Sequence, residues 1–146
     1  MSNRTRLTAT TRRSFLRTTT QGLALAGLAG CAGITVFTTQ AVSGKITVDR
    51  SAFPELSIPG KGIIVKTMDA GEPIILIALE AGQFRALSGV CTHLACSVRL
   101  SGRGPTCPCH GSTYSLDGQV TRGPAPEALY IYHTTVSDDS VIITLN

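Results

Sequence analysis

Short apolar runs separated by turns that contain glycine, proline or aspartate dominate the chain after residue 43. The runs are rich in Ile and Val, and none keeps apolar residues at helical spacing for three turns, so they predict β-strands. Regular spacing of such strands is typical of an antiparallel sandwich or barrel. We therefore expect an all-β domain over residues 44–146, with strands at Lys45–Val48, Gly62–Lys66, Pro73–Leu79, Phe84–Leu87, Leu129–Val136 and Val141–Leu145.

Two segments of this domain depart from the general pattern. Pro73–Leu79 is apolar at nearly every position, which predicts a central strand that is buried on both faces. The segment from about residue 88 to residue 126 is instead rich in Gly, Pro, Cys and Ser and poor in aliphatic runs. Loop-rich segments on a rigid scaffold commonly carry function. We expect this insert to form a small subdomain that contains the functional site.

Residues 1–43 have a third pattern, with an Arg-rich start, an apolar run and a polar exit. Gly22–Phe37 holds no charged residue, and the whole layout is that of a targeting segment. Thr11–Arg17, with the sequence TRRSFLR, resembles the twin-arginine export signal, which a receptor reads. We therefore expect export by the twin-arginine route and a membrane-anchored domain on the periplasmic, extracytoplasmic side.

The sequence leaves three ways in which this segment ends. Leu28–Cys31 (LAGC) resembles a lipobox, which would make Cys31 the lipidated N-terminus of a lipoprotein. The uncharged run is short against the ~20 residues that span a bilayer, although Thr18–Val42 extends it as an uncleaved anchor. Cleavage near Ala41 would release a soluble mature protein.

Charge argues against a nucleic-acid partner. The 146-residue chain has a formal net charge of +4, but five arginines precede Asp49, the first acidic residue. Residues 31–146 carry 8 Lys and Arg against 9 Asp and Glu, so the body is nearly neutral. Nucleic-acid binding requires basic charge on a folded face. We expect no nucleic-acid partner, and the length favours one domain behind the targeting segment.

Thiols and imidazoles are concentrated in the insert. Four of the five cysteines and two of the three histidines occur in two short motifs, Cys91–Cys96 (CTHLAC) and Cys107–Ser112 (CPCHGS). Such groups on tight loops are typical metal ligands. Six candidates exceed the needs of one tetrahedral ion, and two cysteines of an exported protein can form a disulfide. From ligand type alone, a zinc-binding structural module is an alternative to an iron–sulfur site. His133, on a predicted strand, is expected to be a packed or surface residue.

The two motifs closely resemble the cluster-binding boxes of Rieske iron–sulfur proteins that contain an internal disulfide. The resemblance extends from about Lys45 to the C-terminus and implies a Rieske-type antiparallel β-sandwich or barrel with one 2Fe–2S cluster. Carried over by position, it implies that the ligands are Cys91, His93, Cys107 and His110, that the disulfide joins Cys96 to Cys109, and that hydroxyl groups which tune the potential belong to Ser112 and Tyr114.

Three smaller features of the insert bear on this resemblance. Gly123–Pro126 (GPAP) resembles the proline loop of the family, which covers the cluster on a third side. Leu94 would lie at a docking surface. Ala95 departs from the family, in which Gly is usual at that position of the first box, and we expect the loop shape to be affected there without the loss of a ligand.

Rieske sites have reduction potentials of about −150 to +300 mV because two histidines replace cysteines on one iron. The resemblance to high-potential members implies the iron–sulfur subunit of a quinol–cytochrome c reductase type complex. Quinol, a membrane, and cytochrome b and c type subunits would then be its partners, and the chain would transfer electrons within the complex rather than act as an independent enzyme. A small subunit of an arsenite oxidase type periplasmic oxidase and a free-standing Rieske lipoprotein are the alternatives.

Overall fold

A computed structural model describes residues 33–69 and 71–145 of the chain. This part contains eleven β-strands and three short 3-10 helices, and no α-helix occurs in it. None of these described helices is long and apolar enough to cross a membrane. The predicted all-β class is therefore confirmed. The predicted export signal and Cys31 lie outside the described residues and stay predictions.

Seven strands form one large, nearly closed sheet, which we call the barrel. They are β1 (Val36–Thr39), β2 (Lys45–Asp49), β3 (Gly62–Thr67), β4 (Ile74–Ala78), β5 (Phe84–Ser88), β10 (Ile131–Ser137) and β11 (Ser140–Thr144). Their order across the barrel is β1-β3-β4-β5-β10-β11-β2. All neighbouring pairs are antiparallel except β1 and β3, which run parallel.

Four further strands form a separate small sheet within the insert. They are β6 (Arg99–Ser101), β7 (Gly104–Thr106), β8 (Thr113–Tyr114) and β9 (Val120–Arg122), in that order across the sheet. The sequence analysis predicted loops here, because strands of two or three residues are too short to show an alternating pattern. The insert is a small sheet with long connections, and those connections hold the two cysteine motifs.

The six predicted strands coincide with β2, β3, β4, β5, β10 and β11 to within two residues at each end. The central position of β4 is confirmed, since β3 and β5 flank it and all five of its residues are buried. Alternation along β4 sends its side chains into two different cores. Ile74 and Leu76 pack into the first core, whereas Ile75 and Ile77 pack into the second.

β1 is the strand of the barrel that the sequence analysis missed. It lies within residues 1–43, where the absence of charge favoured a targeting segment. Val36 pairs with Ile64 of β3, and the Phe37 ring packs against Phe53 with ring centroids 5.1 Å apart. Apolar, β-branched residues suit an edge strand as well as a membrane segment, so the pattern alone does not separate the two. The folded domain thus includes residues on the N-terminal side of residue 44.

The two cores divide the domain into a scaffold and a site. The first core fills the barrel with mostly aliphatic side chains, and each of its Val, Leu and Ile residues contributes roughly 1.5–3 kcal/mol on burial. The second core lies between the outside of β3, β4 and β5 and the insert. It contains the thiols of Cys91 and Cys107 and the ring of Tyr114 beside barrel residues such as Leu87. Packing of the insert on the barrel therefore determines where the cysteine motifs lie.

Candidate metal centre

Two loops of similar backbone structure carry the motifs. The first cluster loop (residues 91–96) follows β5, and the second cluster loop (residues 107–112) connects β7 to β8. In the first, the backbone N–H of Cys91 donates to the carbonyl of Cys96 at 2.9 Å. In the second, the N–H of Cys107 donates to the carbonyl of Ser112 at 2.8 Å. Each loop therefore returns to its starting point within six residues.

A second hydrogen bond closes each loop around its leading cysteine. The N–H of Ala95 donates to the carbonyl of Cys91 at 2.9 Å, and the N–H of Gly111 donates to the carbonyl of Cys107 at 3.1 Å. Both donor residues have left-handed backbone, with φ of 54° at Ala95 and 77° at Gly111. A residue with a Cβ adopts this conformation at a cost of roughly 1–2 kcal/mol. The conformation gives a physical reason for glycine at the position of Ala95.

A disulfide joins the two cluster loops. Cys96 and Cys109 are bonded, with their Cα atoms 6.5 Å apart, so the predicted pairing is confirmed. Cys91 and Cys107 remain as free thiols, exposed by only 2% and 1%. The Cys107 sulfur lies within 4.8 Å of both disulfide sulfurs. Since disulfide sulfurs carry no thiolate charge, Cys107 alone of this trio is suited to bind a metal.

The imidazoles of the two loops contact each other. The rings of His93 and His110 are 4.8 Å apart at their centroids and nearly perpendicular, at 88°. His93 is half-buried and His110 is exposed. The Nδ1 atom of His93 is buried and has no hydrogen-bond partner among the described residues. Buried polar atoms without partners are rare, and this one is explained if it faces a bound metal.

The four predicted ligands thus lie on two loops that one disulfide joins. Two buried thiols and two imidazoles, one with a buried unpartnered nitrogen, fit the ligand set of a 2Fe–2S cluster with mixed Cys and His ligation. The assignment of the individual ligands stays a prediction.

Tyr114 brings a hydroxyl group to the first cluster loop. Its ring is buried in the second core, and its oxygen lies 3.2 Å from the sulfur of Cys91. The Thr92 hydroxyl, 3.5 Å from the Tyr114 oxygen, donates its proton to the carbonyl of Glu127 at 2.7 Å. The Thr92 proton is used in that bond, so the Tyr114 proton has two acceptors within reach, the Thr92 oxygen and the nearer Cys91 sulfur. A Cys91 thiolate has no proton to donate, so Tyr114 is the donor in that contact.

Ser112 connects the second cluster loop to Gly123–Pro126, the predicted proline loop. Its side chain is fully buried, and its hydroxyl oxygen accepts a hydrogen bond from the N–H of Ala125 at 3.1 Å. A Cβ on Gly123 would lie 2.5 Å from the Cα of Ser112, so only glycine permits this close approach. The segment therefore packs against the second loop as a third wall of the site.

The sequence between residues 52 and 133 matches the family model of the Rieske [2Fe-2S] domain. The match spans more than half of the chain and includes both cluster loops. The chain belongs to the Rieske family. Its cofactor is accordingly a 2Fe–2S cluster, and the hypothesis of a zinc-binding structural module is dropped.

Curated relatives of this Rieske domain include iron-sulfur subunits from Prochlorococcus, Nostoc and Synechocystis. The cytochrome b6-f complex iron-sulfur subunit of Prochlorococcus marinus is 44% identical over 77 residues, which cover 50% of this chain and 43% of the relative. The cytochrome b6-f complex iron-sulfur subunit 1 of Synechocystis sp. is 42% identical over 90 residues, which cover 59% of this chain and 50% of the relative. The matched residues span about half of the length of these relatives.

Solved structures of Rieske proteins share the fold. The cyanobacterial plasma membrane Rieske protein from Synechocystis has a TM-score of 0.57 and 28% identity, over 68% of this chain and 98% of its own. A chain of a hyperthermophilic respiratory complex III has a TM-score of 0.52 and 28% identity, over 65% of this chain and 71% of its own. The resemblance therefore includes nearly the whole of one known Rieske domain.

The electrostatic surroundings of the Rieske site suit a thiolate ligand. Burial raises the pKa of the Cys91 thiol, but hydrogen bonds from the Tyr114 hydroxyl, the His93 backbone and the Cys107 and Ser112 side chains outweigh it, and the net pKa is lowered. Burial, together with the neighbouring Cys91, raises the pKa of the Tyr114 hydroxyl. Tyr114 therefore keeps its proton and remains a donor to sulfur.

Sequence reasoning missed Thr92 and Glu127 as supporting residues of the Rieske site. The Thr92–Glu127 hydrogen bond joins groups 35 residues apart and tethers the first cluster loop to the segment after Gly123–Pro126. The position of Thr92 between two candidate ligands is the sequence feature that could have identified it. Its partner is a backbone carbonyl, which any residue provides, so no side-chain pattern identified it. His133 is exposed on β10, as expected of a surface residue.

Proposed function

We propose that this Rieske chain is the iron–sulfur subunit of a quinol–cytochrome reductase of the cytochrome bc type. Relatives named as cytochrome b6-f complex iron-sulfur subunits, at 42% identity over 90 residues and 44% over 77, support this assignment. The neighbour from respiratory complex III supports it as well. When bound, the 2Fe–2S cluster supplies one-electron transfer. Membrane cytochrome b and c type subunits are the partners that we propose.

The observation that carries the proposal is the hydroxyl of Tyr114, 3.2 Å from the sulfur of Cys91. A donor directed at a ligand sulfur stabilises added negative charge and so raises a reduction potential. The fully buried Ser112 provides a second hydroxyl at the same site. Oxidation of a quinol requires a high-potential acceptor, and these two hydroxyl groups favour one.

Quinol is the electron donor that we propose. The exposed ring of His110 and the half-buried ring of His93 offer imidazole nitrogens at the end of the insert, where a quinol hydroxyl can approach. Imidazole is the side chain best suited to proton exchange near neutral pH. Leu94, 64% exposed beside His93, offers an apolar contact for a partner that encloses the quinol.

A free-standing, lipid-anchored Rieske protein is the second candidate, and β1 favours it. Residues 36–39 belong to the barrel, so they are not available to the membrane segment that Thr18–Val42 would provide. Residues 18–35, the uncharged residues before β1, are at the short end of the roughly 17–25 that span a bilayer. Mass spectrometry of the mature N-terminus separates the two forms. An acylated Cys31 supports the lipoprotein, and an intact N-terminal segment supports the anchored subunit.

Purification from native membranes tests the main proposal. The full chain, tagged at its C-terminus, is expected to co-purify with b- and c-type haem, as seen in reduced-minus-oxidised absorption spectra. The isolated assembly is expected to reduce cytochrome c with a quinol, and Cys107→Ser in the tagged chain is expected to abolish this activity while haem still co-purifies. Isolation of the chain without haem, or with a molybdenum-containing subunit, would contradict the proposal.

A further inference from the structure

The small sheet has one face in solvent, and basic and hydroxyl side chains cross it in register. Arg99 pairs with Thr106, Thr106 pairs with Thr113, and Thr113 pairs with Arg122, so one row crosses all four strands. Side chains at directly opposed positions of antiparallel strands lie on the same face. Three strand spacings separate the two arginine backbones by about 14 Å. We call the solvent side of this sheet, with the turn between β6 and β7, the arginine face.

The other side of the small sheet is committed to packing. Leu100, between the exposed Arg99 and Ser101, belongs to the second core, as does Tyr114 of β8. The adjoining Pro105 of β7 is also buried. The sheet therefore cannot present its apolar side to a partner. The arginine face is the side that remains for an interaction.

The charge on this face is not neutralised within the described part of the chain. Arg50 and Arg85, which lie outside the small sheet, form ion pairs with aspartates, whereas none of the other three described arginines forms one. These three are Arg99, Arg103 and Arg122, and all three are exposed on the small sheet or in its β6–β7 turn. No Asp or Glu occurs in β6, β7, β8 or β9.

Hydroxyl groups fill the space between the arginines. Thr113 bonds to Thr121 at 2.8 Å, and the hydroxyl groups of Ser101 and Thr106 are 3.4 Å apart. None of the large exposed hydrophobic residues, such as Leu94 and Tyr130, lies on this sheet. Surfaces that insert into membranes combine basic residues with exposed apolar ones. A polar, basic face without them is better suited to a transient contact with an acidic protein.

The arginine face lies next to the cluster-binding residues in the chain. Thr106 immediately precedes Cys107, and Thr113 immediately follows Ser112, so the second cluster loop leaves and re-enters the sheet at the central row. A protein that docks on this row therefore lies beside the second cluster loop.

We propose that the arginine face is the docking surface for an acidic electron-transfer protein that takes electrons from this Rieske domain. The inference rests on the proposed electron-transfer function and adds the chemistry of the acceptor and its place of contact. Complementary charge mainly accelerates encounter and orients weak redox partners. The expected signature is thus a salt-dependent rate of electron transfer.

Two triple variants with equal loss of charge test the proposal. Arg99→Gln, Arg103→Gln and Arg122→Gln remove three positive charges from the arginine face. Lys45→Gln, Lys61→Gln and Lys66→Gln, the control, remove three exposed positive charges from the barrel. Oxidation of each dithionite-reduced protein by an acidic c-type cytochrome is followed by stopped-flow absorbance. We expect the second-order rate constant to fall about tenfold in the arginine variant at low salt, and less than about twofold in the control.

Measurements at high salt and with a second electron acceptor test whether charge causes the difference in rate. At about 1 M salt, where charges are screened beyond ~3 Å, the three proteins are expected to react at the same rate. A basic c-type cytochrome is expected to react no more slowly with the arginine variant than with the unmodified protein. Equal low-salt rates for the arginine variant and the control with the acidic cytochrome would overturn the proposal.

Two further measurements distinguish a failure of the docking proposal from a failure of the proposed function. The electron paramagnetic resonance spectrum and midpoint potential are expected to be the same in all three proteins, and an unmodified protein without a Rieske signal would refute the proposed function itself. Co-sedimentation with phosphatidylglycerol vesicles tests whether the arginine face binds an anionic membrane. If the arginine variant loses vesicle binding and keeps its rate with the acidic cytochrome, the face binds a membrane and the docking proposal is overturned.

Discussion

The two cluster loops share a backbone and differ in their surroundings. Both are closed by the same two hydrogen bonds around a leading cysteine. The first is supported from the core by Tyr114, and the second is supported by Gly123–Pro126 through Ser112. Local sequence is sufficient for the shared backbone, whereas the surroundings depend on elements more distant in the chain. The loops therefore respond differently to mutation, and four predictions test that difference.

The disulfide, which belongs to both loops, has the largest expected effect. Replacing both cysteines (Cys96→Ser with Cys109→Ser) removes a cross-link between positions 13 residues apart and avoids an unpaired thiol. Closure of a loop of this size stabilises a protein by about 3 kcal/mol in the chain-entropy model. We expect the free energy of unfolding of the cluster-loaded protein to fall by that amount in urea titrations. A loss below about 0.5 kcal/mol would mean that the bound cluster alone joins the loops.

Ser112→Ala should affect the second loop more than the first. The mutation removes the acceptor of the Ala125 N–H, and a buried donor without a partner costs about 1–3 kcal/mol. Thermal unfolding should show this loss, and hydrogen exchange should be faster at Ala125 than at Cys91. Ser97→Ala, an exposed serine in the same insert, is the control and should change stability by less than about 0.5 kcal/mol. Equal exchange at both amides would show that the two loops open together.

Tyr114→Phe should act at the first loop by lowering the reduction potential of the cluster. The ring remains to fill the second core, and the hydroxyl directed at the Cys91 sulfur is lost. The hydrogen bond is present in both oxidation states, so only its strengthening on reduction shifts the potential, and a strengthening of ~1.5 kcal/mol corresponds to about 60 mV for a one-electron couple. Protein-film voltammetry should show a midpoint potential lower by about that amount. Tyr132→Phe, half-buried on β10, is the control, and an equal shift in both variants would contradict the role of Tyr114.

The smallest effect is expected when the residues at the two left-handed positions, Ala95 and Gly111, are exchanged for Gly and Ala. Gly111→Ala should lower the free energy of unfolding by about 1 kcal/mol, and Ala95→Gly should raise it by a similar amount. A Cβ on Gly111 would meet no atom within 4 Å, so the change there reflects backbone conformation alone. Chemical denaturation measures both variants.

Ala81→Gly is the control for this exchange, because Ala81 also has positive φ, at 55°, but lies between β4 and β5 of the barrel. It should stabilise the protein similarly and leave the cluster spectrum unchanged. If Ala95→Gly destabilises the protein, the methyl group of Ala95 makes a packing contribution that outweighs its strained backbone.

The sequence predicted the parts of the fold that depend on local pattern. Six barrel strands were identified because aliphatic alternation and turn residues occur together, and the continuous apolar run of Pro73–Leu79 predicted the buried β4. β1 was missed because the apolar composition of Gly22–Phe37 suits both a strand and a targeting segment. The short strands of the small sheet were missed because they are held mainly by neighbouring strands and by packing on the barrel.

The candidate site also has a part that the sequence predicted and a part that it did not. Spacing and residue type, with the family resemblance, were enough to propose four ligands and a disulfide, because these groups lie within two short motifs. The Thr92–Glu127 hydrogen bond and the register that aligns Arg99 with Arg122 join residues far apart in the chain. Sequence alone therefore determined which chemistry the insert carries. Only the tertiary structure decided which groups surround it, because those contacts arise when the insert packs on the barrel and form a shared second core.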